Sequence, residues 1–101
     1  MTDTLVQNIG GLLSGVQRLA HQAHAEYSPE VDAVIHEQLR NPQWIERLLD
    51  GILDFCFDPE MVRLYKKLCR YYFAIDPNAT VSYVNSYRDM WDDNGRKTEN
   101  T

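Results

Sequence analysis

The chain has 101 residues and a mass of 11.8 kDa, with 44% hydrophobic and 25% charged residues, a composition ordinary for one globular domain. A chain of this size buries roughly two-thirds of the surface its unfolded form exposes, so one core forms without disulfides or metal. A formal net charge of −5 excludes binding of nucleic acid through bulk positive charge, and the scatter of both signs excludes wholesale disorder.

The N-terminus Met1-Thr2-Asp3-Thr4 lacks a basic flank, and the apolar stretch from Ile9 to Val16 is broken by Gly10, Gly11 and Gly15, which is not the pattern of a secretory signal. No segment approaches 18 uninterrupted apolar residues, so no membrane-spanning helix is expected and the chain reads as cytoplasmic. In the first predicted helix, about residues 3–25, Leu5, Ile9, Leu12, Val16, Leu19 and Ala23 are spaced 4, 3, 4, 3, 4. That is the narrow seam of a coiled coil, which asks for another helix. Gly11, Ser14 and Gly15 weaken this helix and at the same time allow close approach by a neighbour. Gly10-Gly11 is the place where the helix could instead break in two.

Each of the four prolines follows a residue that caps helix N-termini: Ser28-Pro29, Asn41-Pro42, Asp58-Pro59 and Asp76-Pro77. Proline suits the first helical position, where its missing N–H would have no partner, and the preceding oxygen accepts from an early free N–H. Four further helix starts follow, giving five helices in all. The second predicted helix, Pro29 to Arg40, carries Val31, Val34, Ile35 and Leu39. The third, Pro42 to about Phe57, holds Trp44, Ile45, Leu48, Leu49, Ile52, Leu53, Phe55 and Cys56 over half its circumference and leaves Glu46, Arg47, Asp50 and Asp54 to water. The fourth, Pro59 to about Ile75, places Met61, Leu64, Tyr65, Leu68, Tyr72 and Ile75 on one face. Arg63, Lys66, Lys67 and Arg70 fall on the other. The fifth, Pro77 to about Asp93, aligns Thr80, Tyr83, Val84, Tyr87, Met90 and Trp91 before a polar tail at 94–101 that has nothing to bury.

No strand pattern occurs, so the expected fold is all-α: a small bundle of about five helices in antiparallel hairpins, forming a single domain over 1–93. Helix starts at Pro42, Pro59 and Pro77 are 17 and 18 residues apart, and Ala74-Ile75-Asp76-Pro77-Asn78-Ala79 resembles the junction between tetratricopeptide repeats. The Leu-Gly pair of such a repeat is missing after Tyr83, so the resemblance is a half-match over about a third of the chain and assigns no family.

Nothing in the sequence carries catalysis. His21 and His24 lack further ligands, His36 reads as a surface imidazole, and Cys56 and Cys69 sit in apolar contexts outside any CxxC pair. No nucleotide, metalloprotease or hydrolase motif is present, and no metal, cofactor or small-molecule substrate is nominated. The expected function is a non-catalytic protein–protein interaction module, self-associating as a homodimer through Leu5, Ile9, Leu12, Val16 and Leu19. The alternative is a nucleic-acid-associated accessory protein that contacts phosphate, or else an acidic partner, through Arg63, Lys66, Lys67 and Arg70. Residues 1–57 hold 3 basic and 8 acidic side chains and residues 58–101 hold 7 of each, so local positive potential survives around that stripe. Tyr71 and Phe73 flank it, with burial against neighbouring helices as the competing role.

Overall fold

A computed structural model describes residues 2–92, with the side chains of residue 11 and residues 14–92; the tail expected at 94–101 lies outside the described residues. The described chain is all-α, in four helices: α1 (Thr2–His36), α2 (Pro42–Leu53), α3 (Pro59–Phe73) and α4 (Pro77–Trp91). Three of the four proline-marked starts form as expected. Asn41 accepts from the Trp44 N–H at 3.3 Å, Asp58 from those of Glu60 and Met61 at 3.0 and 3.2 Å, and Asp76 from that of Ala79 at 3.0 Å.

Ser28-Pro29 is the exception: Pro29 lies inside α1, so the two helices expected before Asn41 are one helix of 35 residues. The reason is tertiary. Ala20, Ala23, Tyr27, Val31 and Val34 form one row at spacings of 3 and 4 that crosses the proline unbroken, and four of the five are buried, with Tyr27 packed at their edge. Continuing the helix buries that row on both sides of Pro29, which outweighs the backbone bond the proline cannot make.

α1 ends at His36 rather than Arg40, because Gln38 adopts φ 54° and turns the chain. The Leu39 N–H reaches the Val34 carbonyl at 2.9 Å and the Gln38 N–H reaches that of Ile35 at 3.2 Å. These are the two bonds of a Schellman stop, with glutamine where glycine is usual.

α1, α2 and α3 pack against one another around Ile45, Leu49, Ile52, Met61, Leu68 and Tyr72, all essentially inaccessible to solvent. Consecutive helices are joined by three to five residues, and the cross-contacts fix their directions. Lys67 meets Asp32 and Tyr71 meets Leu39, so α3 runs parallel to α1. Tyr72 at the end of α3 meets Glu46 near the start of α2, so those two are antiparallel.

α4 is an edge helix laid on α3, with only Thr80 buried. Tyr83 and Tyr87 are half-buried, Tyr87 stacking on Tyr65 at 5.9 Å, whereas Val84, Met90 and Trp91, also expected inward, are exposed. The indole N–H of Trp91 nevertheless donates to the Leu53 carbonyl at 2.8 Å, and its ring lies 5.9 Å from Phe57. α4 thereby closes the free end of α2.

Candidate interaction surface

α1 is much longer than the body it packs on. At 1.5 Å per residue it spans about 52 Å, against about 18–23 Å for each of the other helices. Gln17, His21 and His24 share a groove of 390 Å³ with Asp58 and Glu60, which sets the start of α3 opposite that part of α1. The residues of α1 before about position 17 therefore precede the first turn of α3. The molecule measures 55 Å along its longest axis, and its radius of gyration of 16.5 Å exceeds the roughly 13 Å of a compact 100-residue domain.

The predicted seam divides at this point. Ala20 and Ala23 are buried, while one turn earlier Val16 and Leu19 are 38% and 57% exposed. Leu5, Ile9 and Leu12 belong to the same helix by backbone, and their side chains lie outside the described set. The seam thus occupies the row whose C-terminal continuation forms the protein's own core. Between Thr2 and Leu19 the chain has two charged residues, Asp3 and Arg18, a sparseness that spacing arguments alone passed over. A Cβ added at Gly11 or Gly15 would meet nothing within 4 Å, so packing within the protomer does not require glycine at either place.

Two of the four cations of the α3 basic stripe are paired with carboxylates of the molecule itself. Arg63 pairs with Glu60 one turn earlier, and Lys67 reaches Asp32 of α1 at 2.6 Å. Both pairs are half or more exposed and contribute about 0–1 kcal/mol each, but they direct two of the four cations toward carboxylates. Lys66 lines a groove with Arg88 and Asp92, and Arg70 is exposed. Of the flanking rings, Tyr71 is half-buried and donates to the Leu39 carbonyl at 2.7 Å, whereas Phe73 is 54% exposed.

A cluster not foreseen from the sequence joins α2, α3 and α4. Glu46, expected to face water, is half-buried and accepts from the Tyr72 hydroxyl, and it lies 3.5 Å from that of Tyr83. The Tyr65 hydroxyl donates to the Tyr83 carbonyl at 2.7 Å. Burial first, then the Glu46 carboxylate for Tyr72 and the carboxylates of Asp50 and Glu46 for Tyr83, hold the two phenols protonated well above their ordinary range. Glu46 and Asp50, one turn apart beside Ile45 and Leu49, were the available signal.

These phenols fasten three helices and stay protonated at neutral pH. The thiols are equally quiet. Burial pushes Cys56 up to about 12, with Cys69 adding to the shift, and pushes Cys69 up to about 11. Both cysteines are free and buried.

A groove of 580 Å³ between α1 and α2 is open and lined by Glu26, Tyr27, Glu30, Trp44, Arg47 and Leu48 without a nucleophile and base in contact. Among the described residues no group of three or more His, Cys, Asp and Glu is arranged to hold a metal ion, and no helix is long and apolar enough to cross a membrane. Comparison of the chain with protein-family models, with curated proteins and with solved structures found no match.

Proposed function

We propose that the protein is a helical interaction module that self-associates through the N-terminal half of α1. One observation carries the reading: α1 runs for about 15 residues before the part that faces the start of α3, the apolar spacing of the sequence continues over that length, and Val16 and Leu19 are exposed. Fully burying an exposed aliphatic side chain contributes about 1.5–3 kcal/mol, and Val16 and Leu19, 38% and 57% exposed, have that share of their surface still to bury. The near absence of charge from Thr2 to Leu19 favours a like partner over a strongly acidic or basic one. The ion pairs of Arg63 and Lys67 favour the seam over the basic stripe as the functional surface.

The test is a paired substitution. Leu12→Glu with Leu19→Glu places charge in the seam away from the described core, and is expected to give a monomer with the helical content of the body retained. Lys66→Glu with Lys67→Glu is expected to leave association unchanged. Loss of association in the second variant and not in the first would overturn the assignment.

A further inference from the structure

We propose that the groove between α3 and α4 is a second docking surface, for an amphipathic helix of another protein that carries acidic residues beside its apolar face. Tyr65, Cys69, Val84 and Tyr87 give this groove of 240 Å³ an apolar floor, and Lys66, Arg88 and Asp92 complete its lining. The two helices are antiparallel, since three residues join Phe73 to Pro77 and Tyr87, late in α4, stacks on Tyr65, early in α3. Phe73 lies two turns beyond Lys66 on the same flank of α3, and Val81 two turns before Arg88 on the same flank of α4. Both rows therefore run alongside the groove, cationic at one end and apolar at the end where the helices are joined. Phe73, Val81 and Val84 are 54%, 50% and 39% exposed.

Charge selects the occupant. Arg63 and Lys67 pair with carboxylates of the molecule, whereas among the described residues Lys66, Arg70 and Arg88 have no ion pair. Lys66 and Arg88 approach the apolar floor from opposite helices with one carboxylate, Asp92, beside them, so the groove is complementary to an apolar residue with acids next to it. A helix carries that combination at intervals of about 5 and 10 Å, and the groove repeats them: Val84 is three residues from Val81 and four from Arg88, and Lys66 is seven from Phe73. Other occupants fit less well. Its 240 Å³ is below the roughly 300–1,000 Å³ of small-molecule pockets. A nucleic-acid strand would bring phosphates to a chain of net charge −5, and the Tyr87 ring that could stack a base already stacks on Tyr65. The α1 row of a second copy has Asp3 as its one acid between Thr2 and Leu19, so it lacks the charge that Lys66 and Arg88 call for.

The test is an NMR titration of the whole isotope-labelled chain. The probe is a synthetic helix of about four turns with leucines along one face and glutamates on both sides of them; a second probe has lysine for each glutamate, and a third has serine for each leucine. The glutamate probe is expected to bind saturably, to shift the backbone amides of Lys66, Cys69, Val84 and Arg88, and to bind more weakly at high salt. The lysine and serine probes are expected to leave those amides unmoved.

Two variants at exposed positions, each checked for retained fold by circular dichroism, separate the charged and apolar parts of the groove. Lys66→Glu with Arg88→Glu is expected to weaken the glutamate probe about tenfold and to gain binding of the lysine probe, a swap that loss of fold cannot produce. Val84→Asp is expected to weaken the glutamate probe by a similar factor while leaving the cations in place. Absence of saturable binding, binding unchanged in both variants, or amide shifts confined to residues 16–24 of α1 overturns the proposal. So does tighter binding in the groove by a single-stranded oligonucleotide or by octanoate than by the glutamate probe. None of these results bears on self-association through α1, which is read from the molar mass.

Discussion

Gly51, inside α2, tests the packing of α1 on α2 because two principles assign opposite signs to its replacement by alanine. A Cβ built there would lie 2.7 Å from Cζ and 3.1 Å from Cε1 of Tyr27, and closer still to the phenol oxygen. Carbon atoms rest at about 3.5–4.0 Å, so the ring would have to retreat by about 1 Å. It has little freedom to do so, being half-buried at the edge of the core and carried by a helix anchored through Ala23, Val31 and Val34. Overpacking of this kind costs about 1–3 kcal/mol, and alanine gains about 1 kcal/mol over glycine in a helix interior. The net expectation for Gly51→Ala is a loss of about 1 kcal/mol, read as a lower urea midpoint at unchanged slope and a melting temperature lower by roughly 4–8 °C. In a Tyr27→Ala background the obstruction is gone, and Gly51→Ala is expected to stabilise by about 1 kcal/mol. The double-mutant cycle therefore yields a coupling of about 2 kcal/mol. Stabilisation by Gly51→Ala in the unmodified chain, or a cycle that closes to zero, would show that Tyr27 does not occupy this notch.

Further expected outcomes follow from the caps and the buried acids. Asp58→Ala removes the acceptor of two helix N–H groups and is expected to cost about 1–2 kcal/mol in urea denaturation, while Ser28→Ala, in the middle of α1, costs no cap and changes stability by less than about 0.5 kcal/mol. Gln38→Gly relieves a left-handed backbone and is expected to stabilise by about 1 kcal/mol, with destabilisation as the contrary result. The thiols of Cys56 and Cys69 are raised from 9.0 to about 12 and about 11, so the folded chain holds protons that the unfolded chain releases. Their stabilising contribution is complete below pH 9 and is lost as pH rises toward 12, so urea midpoints are expected to fall across that window and to stay level if the thiols are not buried. At pH 8 a thiol reagent is expected to label neither cysteine until the chain is unfolded.

Much of the architecture is written locally, and the exceptions have identifiable causes. Asn41-Pro42, Asp58-Pro59 and Asp76-Pro77 start helices because a capping oxygen, a proline and a following apolar period agree at each of them. Ser28-Pro29 offers the same dipeptide, but the row from Ala20 through Tyr27 to Val34 passes through it in register, and core burial overrides the local signal. The buried residues of α2 all lie on the face its periodicity names, and those of α3 do so apart from Cys69, since both helices are enclosed by neighbours. α4 has the same kind of period yet packs on one helix, so Val84 and Met90 remain exposed; periodicity names a face and not how many helices cover it.

The candidate surface is legible as a seam at Leu5, Ile9, Leu12, Val16 and Leu19. What the sequence could not supply is where the body ends beneath it, which depends on α1 running on through Pro29 and on α3 starting opposite His21 and His24. The engagement of Lys67 by Asp32 was likewise hidden, because the two are 35 residues apart and meet only when α1 and α3 lie parallel. Glu46 was misplaced for a related reason. A carboxylate at the margin of an apolar arc faces water unless a second helix brings hydroxyls to it, as Tyr72 and Tyr83 do.

The central claim is that the exposed half of α1 is met by a second copy, and molar mass by light scattering after size exclusion tests it most directly. Measured at low and high micromolar loading and at two salt concentrations, the chain of 11.8 kDa is expected to shift with loading toward a species of twice that mass. That species is expected to persist at high salt, because the seam is apolar. A mass of 11.8 kDa at every loading and both salt concentrations would contradict the account.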